Sequence, residues 1–435
     1  MTDPTSPDPE EYAAPAAAAH SGLSRRRLFA GAGVGVALGA AAGFAGGRAT
    51  AGSDDLSAAD ADVVDLNRSY SFYASGAAHQ VGIETEPQRY CVYMTFDLTT
   101  TDVKDLQVLL ARWSASISQL MAGRPLGAVQ PQRVGAVAQD TGEAYELGPS
   151  SLTVTVGLGP GVFDERLGLA DAKPKHLAEL PTLPSDSLRK ELTGGDLSLQ
   201  ACADDPQVAY HAIRDLARLG RGTVNTRWTV MGFGRASAGK GQATPRNLLG
   251  FKDGTRNVKE AADFDKHVWV ADDDEPVWMR GGTYQVARKI RMDIEIWDAD
   301  DVSDQQRVFG RTKEVGAPLS GHAEFDAPDF DKQAAGEPVI APTAHIALAA
   351  HENNNGIKIL RRSYNFTDGI NELGQLDAGL LFIAYQNNPA SFITLQNRLG
   401  SSDLLNEYIS HIGSGIFAIP RAPKPGHYLA EELFS

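Results

Sequence analysis

The sequence predicts an α+β fold made of two similar halves, each an antiparallel sheet with helices on one face. Three features support this prediction: an internal repeat, a strand followed by a long amphipathic helix, and strand-like alternation elsewhere in the chain. The repeat aligns residues 197–216 with residues 380–399 without a gap. Both copies have the pattern of a strand, a turn and a helix, so the same unit is expected in each half.

The two repeat helices carry signals for where they begin and end. Asp205 and Asn388 are predicted N-caps, and each is followed by a proline in the first helical position, where its missing N–H costs nothing. Apolar residues then recur at helical spacing. Gly220 and Gly400 are predicted to end the two helices.

The remaining elements of the first half follow from hydrophobic periodicity. Residues 90–96 are predicted to form a strand, and residues 102–121 a helix with apolar positions at helical spacing. Residues 152–156 alternate like a second strand, and the stretch 172–190 has loop composition.

The second half is predicted to open and close with strands of its own. Its opening strand covers residues 283–287 and runs on toward residues 294–297, and its closing strand covers residues 416–419. A sheet covered by helices leaves an apolar crevice between the two layers, where a flat cofactor could bind.

The N-terminus has the pattern of an export signal. Arg25, Arg26 and Arg27 precede an apolar run rich in glycine and alanine, which ends before a small-x-small cleavage site at residues 49–51. This order is typical of twin-arginine signals. We therefore expect residues 1–51 to be a signal peptide and linker read by the twin-arginine translocation machinery, and the product to be extracellular or in the cell envelope. An N-terminal membrane anchor is the alternative.

Composition disfavours several classes of function. The chain has 40 basic and 55 acidic residues. Its net charge of −15 disfavours nucleic acid and anionic membrane surfaces as partners. The chain has only two cysteines, Cys91 and Cys202, which cannot form a cysteine metal cluster; whether they pair in a disulfide is left open. Motifs for zinc hydrolysis, covalent haem attachment and phosphate binding are missing from the sequence.

Two clusters of residues have chemical potential. The first is Gly250-x-x-Asp253-Gly254, and the second is Ala344-His345-Ile346, followed after an asparagine-rich turn by Arg361. Taken alone, Asp253 fits an ordinary turn residue and His345 an ordinary core or surface histidine.

Together these clusters resemble the dye-decolourising peroxidases, whose signature is G-x-x-D-G. The likeness also covers residues 278–284 and 403–408 and extends over most of the chain after the leader. It is closest to the twin-arginine-exported branch. It implies a duplicated ferredoxin-like fold with domains at residues 52–245 and 246–435, and one non-covalent haem b per chain in the C-terminal half.

The resemblance also implies roles for individual residues. His345 matches the proximal axial ligand of the haem iron, with His351 as the competing candidate. Asp253 matches the distal acid and Arg361 the distal arginine. Asp403 is the candidate hydrogen-bond partner of the ligand imidazole, although it could equally cap a helix that begins at residue 404.

Three residues next to the distal acid complete the predicted site. Gly254, Thr255 and Arg256 directly follow Asp253 and are expected to line the haem edge or its propionates.

A single imidazole ligand leaves the sixth iron position open to peroxide. Asp253 is then suited to shuttle a proton between the two peroxide oxygens, and Arg361 to stabilise the developing negative charge.

The implied activity is the oxidation of dyes, phenols or similar one-electron donors by hydrogen peroxide through a ferryl intermediate. Because a bulky dye does not fit a pocket shaped for peroxide, a surface aromatic residue is expected to relay electrons, with Tyr364, Tyr385 and Trp297 as candidates. One alternative is deferrochelatase-like removal of iron from haem with the porphyrin left intact, and another is a haem carrier without turnover. The natural reductant and the formation of a homo-oligomer are left open.

Overall fold

The computed structural model describes residues 64–73, 79–271 and 275–435. The predicted signal peptide at residues 1–51 lies outside these ranges. Residues 65–435 form one compact unit, and the predicted domain boundary between residues 245 and 246 stays a prediction. None of the helices in the described ranges has both the length and the hydrophobicity needed to cross a bilayer.

The first half follows the order strand, helix, strand, strand, helix, strand. Its elements are β1 (Tyr90–Leu98), α1 (Val103–Leu120), β2 (Thr153–Leu158), β3 (Leu197–Ala203), α2 (Pro206–Leu219) and β4 (Val224–Phe233). The strands form an antiparallel sheet in the order β2-β3-β1-β4. Asp102 caps α1 by accepting the N–H of Lys104 at 2.8 Å. The indole of Trp113 on α1 donates to the Leu216 carbonyl on α2 at 2.8 Å, so the two helices are fixed against each other as well as against the sheet.

The second half repeats this order but replaces the first long helix by short helices and loops. A short helix, α3 (Ala261–His267), comes before the first strand of the second half. Its elements are β5 (Thr283–Met292), α4 (Ile294–Ala299), α5 (Val302–Phe309), the hairpin strands β6 (Gln333–Ala334) and β7 (Glu337–Pro338), α6 (His345–Ala349), β8 (Leu360–Arg361), β9 (Tyr364–Ile370), β10 (Leu376–Gln386), α7 (Ala390–Ser402) and β11 (Ile409–Ile419). The main strands form an antiparallel sheet in the order β9-β10-β5-β11, and β8 also pairs with β10. The predicted α+β fold with two antiparallel sheets and helices is therefore confirmed.

The two sheets join along both sides into a ring. On one side β4 pairs with β9 through Gly232 opposite Phe366 and Phe233 opposite Asn365. On the other side β11 pairs with β2 through Ala418 opposite Leu158. Among the described strands, each of the eight in the ring therefore has a hydrogen-bonded neighbour on both sides.

The internal repeat is confirmed as a strand, a turn and a helix in both halves. Asp205 caps α2 by accepting the N–H groups of Gln207 and Val208 at 2.7 and 3.2 Å. Asn388 likewise accepts the N–H of Ala390 at 2.9 Å, but α7 begins at Ala390, one residue later than predicted.

The predicted helix end at Gly400 is wrong, because this glycine lies within α7, which continues to Ser402. A Cβ atom at position 400 would lie 2.3 Å from the carbonyl oxygen of Pro184. Glycine is therefore needed here for the close approach of another chain segment. In the first copy, Gly220 does cap α2 as predicted.

Residues 294–297 are also different from the prediction, since they form helix α4 rather than an extension of the strand β5. The pattern Ile-Glu-Ile-Trp alternates like a strand, but tertiary contacts decide its conformation. Trp297 is buried and donates to the Leu249 carbonyl at 2.9 Å, while Ile296 is exposed. Glu295 accepts the N–H of Leu376 at 2.8 Å.

Cys91 and Cys202 are directly opposite each other on β1 and β3. Both are fully buried and are free thiols in the structure.

Candidate functional site

A large cavity lies in the second half, between strands β5 and β10 and helices α6 and α7. Its apolar walls are formed by Ile290, Met292, Phe309, Ile346, Leu380, Phe382, Phe392, Leu395 and Leu399. All the predicted site residues also line it: Asp253, Gly254, Thr255, Arg256, His345, His351, Arg361 and Asp403. The cavity is the crevice that the sandwich of sheet and helices was expected to leave.

His345 is the first residue of α6 and is held by Asp403, which follows α7. The distance from His345 Nδ1 to Asp403 Oδ2 is 2.7 Å. Burial alone would lower the pKa of His345, but the charge and hydrogen bond of Asp403 outweigh this effect and raise it above its ordinary value. Because Nδ1 is occupied, Nε2 is the nitrogen that His345 has available for a ligand.

Asp403 makes both of the contacts that the sequence left open. Its Oδ1 accepts the N–H of Leu405 at 2.9 Å and so caps the short 3₁₀ turn that follows, while Oδ2 contacts the imidazole of His345. One carboxylate thus fixes the orientation of the histidine and the start of the 3₁₀ turn that follows α7.

Asp253 and Arg361 form an ion pair on the cavity wall. Arg361 Nη1 donates to Asp253 Oδ1 at 2.7 Å, although the residues are 108 positions apart in the chain. Both side chains are mostly buried, with 14 % and 27 % of their surfaces exposed for Asp253 and Arg361. A carboxylate and a guanidinium are therefore held together in a partly dry environment.

Asn257 positions Arg361, a role that could not be recognised from the sequence. Its side-chain amide accepts the Arg361 N–H at 2.8 Å and donates to the Arg361 carbonyl at 2.7 Å. The two bonds fix the backbone of the arginine across a separation of 104 residues.

Glu324 was also missed and supports the loop around the distal acid. It binds the ammonium group of Lys252 and accepts the hydroxyl of Thr255 at 3.0 Å. Burial would raise the pKa of Glu324, but these hydrogen bonds and the charge of Lys252 lower it below its ordinary value. Between the two anchored residues, Gly254 has a φ of +117°, and a Cβ atom there would lie 2.5 Å from the Ala238 nitrogen.

Three arginines bring positive charge together at the cavity. Arg256 pairs with Glu352, and Arg311 donates to the carbonyls of Gly316 and Glu324. Burial, followed by repulsion from Arg256 and Arg361, lowers the pKa of Arg311 to about 10, despite the attraction of Glu324. This end of the cavity therefore favours an anionic group.

His351 lines the same cavity in a more open position. Its Nδ1 lies 3.3 Å from Glu352 Oε2, and 34 % of its side chain is exposed. Burial and the positive charges of Arg256 and Lys358 lower its pKa, although Glu352 acts in the opposite direction.

Two further buried polar side chains, His411 and Arg288, line the same cavity. Arg288 forms an ion pair with Asp186 and donates to the Ser414 hydroxyl at 3.1 Å. Burial and the charge of Arg288 lower the pKa of His411 to about 3, so its imidazole is neutral at ordinary pH.

The three aromatic residues considered as surface relays are all buried. Tyr364 and Tyr385 have no exposed surface, and Trp297 is 1 % exposed. Their assignment to the surface is wrong, because the strands and the helix that carry them face the core.

Family models match both halves of the chain. The model described as "Dyp-type peroxidase, N-terminal" matches residues 80–234, and the model described as "Dyp-type peroxidase, C-terminal" matches residues 244–424. Among curated proteins, a deferrochelatase of Yersinia pseudotuberculosis is 38 % identical over 423 residues, covering 94 % of each chain. A deferrochelatase of Escherichia coli is 37 % identical over 420 residues, covering 94 % of this chain and 96 % of the relative.

Solved structures show the same likeness. Ferric DtpA from Streptomyces lividans is 37 % identical, with a TM-score of 0.78 over 86 % of this chain and 99 % of that chain. A DyP-type peroxidase from Cellulomonas bogoriensis is 34 % identical, with a TM-score of 0.75 over 85 % of this chain and 99 % of that chain.

Proposed function

This chain belongs to the Dyp-type peroxidase family, and we propose that His345, Asp253 and Arg361 carry its reaction. It is a haem enzyme, an oxidoreductase that takes hydrogen peroxide as its oxidant and a small molecule as its reductant. One observation carries the assignment of residues. Three segments that are distant in the sequence place an imidazole, a carboxylate and a guanidinium on the walls of one cavity.

The residues of the cavity fit a haem. Aliphatic and aromatic walls suit the porphyrin, and the available Nε2 of His345 suits the iron. Arg256, Arg311 and Arg361 would hold the propionates, because their mutual repulsion is relieved by an anionic partner. When bound, haem supplies an open coordination position for peroxide and accepts the oxidising equivalents.

Asp253 and Arg361 would act on the peroxide. Asp253 takes a proton from one peroxide oxygen and returns it to the other, which requires an ionised carboxylate within reach; positioned acid–base groups of this kind typically contribute about 10²- to 10⁴-fold in rate. Arg361 holds Asp253 in place and donates to the oxygen on which negative charge develops. Asp403 keeps His345 oriented and more basic as an iron ligand.

The assignment of His345 as the iron ligand is tested against His351, the competing candidate. We expect His345→Ala to lose the absorption spectrum of a haem with one histidine ligand, while His351→Ala keeps it, because the buried Asp403 orients His345, whereas His351 contacts the exposed carboxylate of Glu352. Absorption spectra of both variants after haem reconstitution decide the question. A normal spectrum in His345→Ala together with its loss in His351→Ala would reverse the assignment.

A second activity, release of iron from haem with the porphyrin left intact, is favoured by the names of the relatives that are 37–38 % identical. The two activities give different products. Peroxide and a dye should yield bleached dye with the haem retained, whereas iron release yields a fluorescent iron-free porphyrin. Detection of that porphyrin as the main product, without dye oxidation, would favour iron release.

We further propose that the protein is exported through the twin-arginine pathway to the cell envelope or beyond. The support is the sequence around Arg25, Arg26 and Arg27. Replacing Arg25 and Arg26 by lysine should retain the protein in the cytoplasm, which fractionation and immunoblotting would detect.

A further inference from the structure

A second cluster of polar residues lies in the first half of the molecule, where the segment between α1 and β2 packs against α2. It contains Asp140 from that segment and His211 and Asp215 from α2. The three side chains are buried, with exposed fractions of 1 %, 6 % and 0 % for Asp140, His211 and Asp215. None of them lines the haem cavity.

The spacing of the ligand atoms suits a bound metal ion. His211 Nε2 lies 3.6 Å from Asp140 Oδ2 and 3.5 Å from Asp215 Oδ2, and the three atoms are all within 4.8 Å of one another. The two nitrogen–oxygen distances are longer than those of ordinary hydrogen bonds. By contrast, a tetrahedral zinc ion with bonds of about 2.0–2.1 Å holds its ligands about 3.3 Å apart.

Neighbouring groups hold each of the three side chains in place. His211 Nδ1 lies 3.2 Å from Glu143 Oε2, and a carboxylate in this position is typical of metal-bound histidines. Asp140 accepts the N–H groups of Leu126 and Gly142 at 2.8 and 2.7 Å. His211 and Asp215 are one helical turn apart, which places them on the same face of α2.

The carboxylates of the cluster outnumber the arginines that contact them. Asp140, Glu143 and Asp215 bring three carboxylates together, whereas the cationic partners are Arg214 and Arg218. Arg218 contacts Asp215 through Oδ1 at 2.9 Å, while Oδ2 faces His211 Nε2 at 3.5 Å and accepts the N–H of Thr141 at 3.4 Å. Buried carboxylates require compensation by a partner or a metal ion.

We propose that Asp140, His211 and Asp215 bind one divalent transition-metal ion, with Zn²⁺ as the best match to one nitrogen and two oxygen ligands. A water molecule would complete the tetrahedral coordination. The ion links α2 to residues 121–152, a segment that contains no helix or strand although the structure describes all of it. Its role is therefore to stabilise the first half.

The site is tested on haem-loaded, tag-free protein, with the haem iron as an internal standard for elemental analysis. We expect about one zinc per chain after equilibration with zinc chloride and gel filtration, and a melting temperature that falls when EDTA removes the zinc and recovers on its return. His211→Gln and Asp215→Asn should weaken zinc binding in calorimetric titrations by about tenfold or more.

The matched control is His427→Gln. His427 also pairs with an acidic residue four positions away, Glu431, but as a single exposed pair it should leave zinc binding unchanged. If His211→Gln fails to load haem, Asp140→Asn replaces it, since an asparagine can still accept one backbone N–H group. The proposal is overturned if the wild-type protein retains no zinc, or if the ligand variants bind zinc as tightly as His427→Gln does.

Discussion

The two halves of the molecule share one order of elements but use the space between sheet and helices in different ways. In the first half, Trp113, Ile213 and Leu216 fill that space and have no exposed surface. In the second half, the place of the long helix α1 is taken by short helices and loops that carry His345. Leu395 and Gln396 of α7 face a cavity there instead of a packed core.

This difference indicates how a duplicated fold acquires a cofactor site. Breaking one helix into pieces removes the side chains that would fill the core, and polar groups can then enter from the segments between the pieces. The first half keeps the dense packing that resists distortion. One copy therefore provides stability and the other provides chemistry.

The largest effect is expected from the ion pair of Asp253 and Arg361 on the cavity wall of the second half. Asp253→Asn should slow the reaction with peroxide by about 10²- to 10⁴-fold, because the proton shuttle is lost. Arg361→Ala should slow it by about 10²- to 10³-fold, because a preorganised donor is lost. Stopped-flow absorbance measures both rates.

A matched ion pair in the first half serves as the control. Asp97 pairs with Arg227 at 2.9 Å, is 42 % exposed and lies outside the cavity, so Asp97→Asn should leave the rate unchanged. Rates for the Asp253 and Arg361 variants close to that of Asp97→Asn would show that the distal pair does not act on peroxide.

The packing difference predicts unequal costs for the same truncation. Leu216→Ala should reduce the free energy of unfolding by about 2–5 kcal/mol, because it leaves a void in a filled core. Leu395→Ala should cost less in haem-free protein, because its side chain already borders a cavity. Urea denaturation of the two variants without haem measures both losses in the free energy of unfolding. Equal losses would contradict the inference that Leu395 borders a cavity whereas Leu216 lies in a filled core.

The two roles of Asp403 can be separated by one substitution. Asp403→Asn keeps an oxygen that can cap the turn at Leu405 but removes the charge beside His345. Peroxide turnover should fall by about 10- to 100-fold, while thermal stability changes little. Asp403→Ala should in addition lose about 1 kcal/mol of stability through the missing cap. Full activity in the asparagine variant would leave capping as its only role.

A final prediction concerns how the stability of the protein depends on pH. The pKa of His411 is about 3 in the folded protein, below its ordinary value of 6.5, so the unfolded chain takes up the proton first as pH falls. His411 should therefore cost stability from about pH 6.5 down to about pH 3, with a slope of up to about 1.4 kcal/mol per pH unit. Thermal unfolding at pH 7 and at mildly acidic pH measures this slope.

His411→Gln should flatten that dependence, while the exposed His322→Gln should keep it. An unchanged slope in His411→Gln would mean that other groups control the acid sensitivity.

Much of the fold could be predicted because its signals are local. Asp205, the following proline and Gly220 mark α2 within one stretch of sequence, and the structure confirms all three. Prediction failed where a distant contact decides the conformation. Gly400 is needed for the approach of Pro184, and Trp297 is held by Leu249 in a helix that alternates like a strand.

The residues of the candidate site likewise include some that could be predicted from the sequence and some that could not. Asp253, His345 and Arg361 lie in short segments for which the family resemblance implied a role, and all three line one cavity in the structure. Asn257 and Glu324 could not be assigned their positioning roles, because their partners are between 69 and 104 residues away. Such contacts have no periodicity or spacing that a single sequence could show.

The closed ring of strands has a consequence for attempts to isolate the cofactor half. Cutting the chain between the halves would strip β9 and β11 of their neighbours β4 and β2 and leave two bare backbone edges. Unprotected edges pair readily with other molecules, so such a fragment should aggregate rather than form a smaller working enzyme.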